Sequence, residues 1–90
     1  MFEKKSQDND HLEAIPGVGK SIALDLRNLG IHKVPDLVRK DPQKLYDKLC
    51  EQQNTKIDRC VLYVFRCAVY YANHDKHDPE LLKWWNWKDA

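Results

Sequence analysis

Residues Ile15 to Ala23 read I-P-G-V-G-K-S-I-A. Pro16 has no N–H to donate and biases Ile15 away from helical angles, so a helix arriving from the N-terminal side has to end here. Gly17 and Gly19 then allow a tight backbone path that a Cβ would obstruct. From Lys20 the pattern becomes helical, with Ile22, Ala23, Leu26 and Leu29 at core-facing spacing. Gly30 stands where a left-handed cap is expected. The stretch therefore reads as helix, proline-glycine turn, helix.

On its N-terminal side, residues 1–7 are polar and expected to be flexible, and Asp8 or Asp10 is placed to cap a short helix reaching Ala14. On its C-terminal side, V-P-D-L-V-R-K is a short element with Pro35 in its first turn, and Asp41-Pro42 is a cap followed by a proline at the first helical position. Leu45, Tyr46, Leu49 and Cys50 give that helix an apolar face up to about Gln52, and E-Q-Q-N (51–54) reads as a polar connector. Thr55 followed by Asp58 resembles a capping box for a long helix, about Lys56 to Asn73. Ile57, Cys60, Val61, Val64, Phe65, Cys67, Ala68, Tyr71 and Ala72 cover most of its circumference and leave a stripe of Arg59, Arg66 and Asn73. A helix apolar nearly all round is central to its domain. Asp78-Pro79 repeats the cap signal and predicts a final helix over 78–88. No segment alternates as a strand does, so the expected fold is all-α: one domain, 1–90, of five or six short helices, with a first hairpin unit over 10–30 and a second over 41–73.

Helix, apolar-Pro-Gly-apolar-Gly and a second helix with an early alanine together resemble the helix-hairpin-helix modules that hold DNA phosphates without reading bases. Ile15, Pro16, Gly17, Val18, Gly19 and Ala23 carry the resemblance. It implies phosphate donors at the backbone N–H groups of Gly17, Val18, Gly19 and Lys20. It also implies, as in some relatives, a monovalent cation at the carbonyls of Glu13, Ile15 and Val18. The unit over 41–73 resembles the second half of the doubled form of the motif, but its turn has no Gly-x-Gly and is degenerate. I-P-G-V-G-K-S, D-L-x-x-x-D-P, L-Y-x-x-L-C and R-C-V-L-Y-V-F-R-C-A-V-Y-Y-A, spanning most of residues 11–73, resemble a small bacterial family called pathogenicity locus or mitomycin-resistance proteins. Those names imply a connection with DNA damage.

The physics suits a phosphate: unpaired amides of a helix N-terminus point at the ligand, the helix dipole adds partial positive charge, and Lys20 adds a full one. Lys33, Arg39, Lys40 and Lys44 are candidate flanking contacts. The segment Lys20–Lys48 carries seven basic and four acidic residues, whereas the whole chain has net charge +1. That balance argues against coating nucleic acid by bulk charge, and weak, non-sequence-specific DNA binding is expected, in an accessory role in DNA repair or recombination. The alternative is a protein-interaction module that keeps the fold without the DNA affinity.

Other readings of the same residues are weaker. G-V-G-K-S suggests a nucleotide-binding loop, but that motif needs glycine where Ala14 stands, and a strand before it. Cys60, Cys67 and His74 recur every seven residues, which spaces their side chains roughly 10 Å apart, too far to share one metal ion; core packing explains the cysteines better. Trp84, Trp85 and Trp87 are candidates for stacking on bases, although one or two of them packing on the long helix is favoured. No spacing argues for a catalytic set, so no enzyme is expected. An odd number of cysteines, no apolar run near 18 residues and no signal-peptide pattern point to a reduced, cytoplasmic protein away from membranes.

Overall fold

A computed structural model describes residues 11–88. Segment 1–7, expected to be flexible, and the candidate caps Asp8 and Asp10 lie outside the described residues. Three α-helices, α1 (Lys20–Asn28), α2 (Pro42–Gln53) and α3 (Arg59–Asn73), are joined and flanked by four 3-10 turns, Leu12–Ala14, Val34–Leu37, Pro79–Leu82 and Trp84–Trp87. The fold is all-α. The expectation of five or six helices is corrected to three among the described residues, because the shorter segments each close only a single turn.

The causes are local. Ile15, held extended at φ −74° and ψ 127° ahead of Pro16, ends the first turn after Ala14. The C-terminal segment breaks at Lys83, extended at φ −91° and ψ 110°. On one continuous helix Trp84, Trp85 and Trp87 would point in three directions at 100° per residue. Beyond the break, Trp84 lies against Gly17, and Trp87 lies against Tyr70 of α3 and donates to the Leu81 carbonyl.

Two other boundaries shift. The polar connector 51–54 is the last turn of α2, closed by Asn54 in the left-handed region at φ 52°. The long helix starts at Arg59 rather than Lys56. Asp58 caps it by accepting the Cys60 N–H at 2.9 Å, whereas Ile57 packs its side chain on the core and accepts the Tyr46 hydroxyl at its carbonyl. Those two contacts keep Ile57 out of the helix.

α3 is the hub: it packs on α2, on the Val34–Leu37 turn and on both C-terminal turns. Leu62, Phe65 and Ala68 are fully buried there, with Leu45, Tyr46 and Leu49 of α2, Ala23 and Leu26 of α1, and Leu12, Ile15 and Val18 of the N-terminal turn in the same core. Cys67 is buried as expected, but Cys60, read as a core residue, is exposed on the first turn of α3. Arg66 lies beneath the C-terminal segment and donates to the Trp87 carbonyl at 2.7 Å, so the polar stripe of α3 is partly covered. No helix among the described residues is long and apolar enough to cross a membrane.

Candidate nucleic-acid interface

The turn between Leu12–Ala14 and α1 is anchored from below. Ile15 and Val18 are buried, and the Val18 N–H donates to the Ile15 carbonyl at 3.0 Å, closing the loop. That hydrogen bond engages the Val18 amide inside the turn and shares the Ile15 carbonyl, one of the three expected cation ligands. Gly17, Gly19 and Lys20 are exposed, and their N–H groups have no acceptor among the described residues. The first carbonyl–amide bond of α1 runs from the Ala23 N–H to the Gly19 carbonyl at 2.9 Å, which leaves the opening amides of α1 pointing outward.

The two glycines of this turn have different reasons to be glycine. Gly17 sits at φ +91°, and a Cβ there would meet Trp84 Cδ1 at 3.0 Å. Its requirement is met within the molecule. Gly19, the N-cap of α1, has φ −96° and ψ −169°, extended backbone open to any residue, and a Cβ there would meet nothing within 4 Å. Ser, Asp or Asn at such a position would accept a hydrogen bond from the helix amides and steady the helix. The chain instead leaves this end uncapped by any side chain.

The second turn is organised the opposite way. The N–H groups of Asn54 and Thr55 donate to the carbonyls of Glu51 and Cys50, at 3.2 and 3.1 Å. The start of α3 is covered by Asp58, whose carboxyl the Cys60 backbone N–H holds below the usual carboxylate range. A carboxylate there repels a phosphate, so the geometry as well as the missing glycines sets this turn apart from the first.

The four flanking candidates divide. Arg39, Lys40 and Lys44 line one concavity of about 480 Å³ together with Lys48, Gly30 and Asp41. Lys48 was not singled out from sequence, although its place one helical turn after Lys44 sets both on one face of α2. Arg39 adopts the left-handed region at φ 66°, and its N–H donates to Asn73 Oδ1 of α3 at 3.3 Å. Such backbone costs of order 1–3 kcal/mol for a residue other than glycine and persists only where neighbours enforce it. Lys33 stands apart from this concavity; its N–H and that of His32 donate to Asp36 Oδ2, and the His32 bond leads in drawing the Asp36 carboxyl below its ordinary value. The concavity begins at the C-terminal end of α1 and the glycine turn lies at its N-terminal end, so the nine-residue helix sets them about 14 Å apart at 1.5 Å per residue. The basic cluster, carried by the loop before α2 and by α2 itself, and the hairpin are therefore two separate surfaces.

Sequence comparison places these features in a family. Over 82 residues the chain is 28% identical to a mitomycin resistance protein, McrB, of Streptomyces lavendulae, covering 91% of this chain and 74% of that protein. No solved structure matches it. The profile of the pathogenicity locus family matches residues 5–90, nearly the whole sequence, and the protein belongs to that family.

Proposed function

We propose that this protein binds the DNA backbone non-specifically through the turn Gly17–Lys20, as a helix-hairpin-helix module whose second hairpin is degenerate. The observation that carries the reading is Gly19. It stands at a helix start with open space where a side chain would be, no need for glycine in its own backbone angles, and unengaged amides around it. A phosphate oxygen is the group that such a position accommodates, because it accepts from amides at close range and complements the positive end of the helix. Lys20 adds charge at the same place, and the Arg39–Lys40–Lys44–Lys48 cluster offers a second surface to a polyanion. The biological setting we propose is an accessory role in DNA repair or recombination, a reading that the relative's name, which records mitomycin resistance, supports.

The test is a titration of duplex and gapped DNA at low ionic strength with the wild-type protein and Gly19→Asp. The substitution supplies α1 with a good cap and places a carboxylate where the phosphate would sit. Wild type is expected to bind with a dissociation constant of about micromolar or weaker and a shallow salt dependence. Gly19→Asp should bind at least about tenfold more weakly while its unfolding midpoint holds or rises. Equal binding by the two proteins would remove the hairpin assignment, and no binding by either would favour the protein-interaction module.

A further inference from the structure

Three tryptophans stand within four residues, and two of them have a structural task. Trp84 lies against Gly17 and packs on the core. Trp87 donates its indole N–H to the Leu81 carbonyl at 2.8 Å and lies 5.6 Å from the Tyr70 ring, centroid to centroid. Trp85 has neither kind of anchor. The residue is 49% exposed, and its ring meets that of Trp84 edge to face at 5.8 Å between centroids and 86° between planes. Yet the segment that carries it is fastened on both sides. Asn86 donates its N–H to the Lys83 carbonyl and its side-chain amide to that of Glu80, and Arg66 grips the Trp87 carbonyl. An exposed indole on such a fixed turn loses little freedom when it is covered.

We propose that Trp85 is a stacking platform for an unpaired base of a DNA strand whose phosphate rests on the Gly17–Lys20 turn. The inference rests on the phosphate reading above and specifies the class of DNA that this site prefers. Its basis is adjacency: Trp84 touches Gly17, and Trp85 touches Trp84, so the open indole stands one side chain away from the unengaged amides. A nucleotide joins an anion and an aromatic face in the same order. Bases inside a duplex are already stacked on their neighbours, so only a single strand, a gap or a splayed end presents a free face. Stacking on an aromatic side chain tolerates any base, in keeping with binding that does not read sequence.

The experiment uses the full-length protein and three labelled DNAs of equal length, an oligothymidine, a gapped duplex and a blunt duplex, followed by fluorescence anisotropy at low salt. Wild type should favour the single-stranded and gapped forms over the blunt duplex by about fivefold or more. Trp85→Ala should lose that preference, binding the blunt duplex as wild type does, and Trp85→Phe should keep most of it. Gly19→Asp should weaken binding to all three. If Trp85→Ala binds every DNA as wild type does, or loses affinity equally for all three, the platform is overturned while the hairpin stands. If wild type binds none of them, the hairpin reading and the platform fall together. A wild-type dimer that Trp85→Ala dissociates would also overturn it, assigning the ring to a second copy of this chain.

Discussion

Gly17 and Gly19 are alike in sequence and differ in what replacing them should do. At Gly17 the backbone angle φ +91° and the Trp84 ring both oppose a side chain. Gly17→Ala is therefore expected to destabilise the fold by about 1–3 kcal/mol, measured by urea unfolding. A midpoint equal to wild type would show that Trp84 does not press on this turn. Cys67 is the second informative residue. It is buried on α3, with its sulfur 4.0 Å from the Pro16 carbonyl and 3.6 Å from those of Leu81 and Leu82, and burial pushes its thiol from 9.0 up to about 11. A raised pKa favours the protonated native state, so this contribution is complete below pH 9 and is lost as the pH climbs toward 11. The fall in stability between pH 8 and pH 11 should be steeper in wild type than in Cys67→Ala; parallel curves would contradict the assignment. None of these contacts was readable beforehand, because Gly17 and Trp84 are 67 positions apart in the sequence and only the packed core brings them together.

Among the elements, legibility followed the mechanism of each boundary. Asp41-Pro42 declares its helix outright, and the Asp41 carboxylate accepts the Gln43 N–H at 2.9 Å. Gly30, at φ +91°, ends the turn after α1 as the sequence implies. Asp78-Pro79 gave the right cap but the wrong length, since periodicity does not show that Trp84 and Trp87 have partners on different sides of the chain. The start of α3 was missed for a similar reason: the Tyr46–Ile57 hydrogen bond that delays it is tertiary. At the candidate site the turn itself was legible, whereas the distance between it and the basic cluster was not. That cluster supports a prediction about α2. Asp41 is the one acid lining the concavity among the described residues, and Asn caps a helix about as well as Asp. Asp41→Asn should leave the thermal midpoint within a degree or two and tighten DNA binding about twofold or more at low salt, with the gain vanishing at high salt. Weaker binding by this variant would exclude the concavity from the DNA surface.

At the scale of the whole molecule, α3 and the C-terminal turns form the base on which the two candidate surfaces stand. The tryptophan segment covers Arg66 and leans on the glycine turn, while Asn73 at the end of α3 fixes the backbone of Arg39. Both surfaces are thus referenced to one central helix, although they sit at opposite ends of another. The nearly neutral chain concentrates its positive charge in the segment Lys20–Lys48, which runs from the glycine turn to the concavity, and the rest of the sequence offsets it.

On the proposed DNA-binding reading, the nine residues of α1 act as a ruler. The two ends it separates stand about 14 Å apart, and a strand of DNA advances about 3.4 Å per nucleotide, so about four nucleotides span the gap. An oligonucleotide of three can occupy one end only; one of six or more reaches both. Affinity measured against oligonucleotide length should therefore climb in a step near five rather than smoothly, and the step should disappear when Lys44 and Lys48 are both changed to Gln. A helix this short cannot bend to meet a shorter ligand, which would make length, in place of sequence, the property of DNA that this small protein measures.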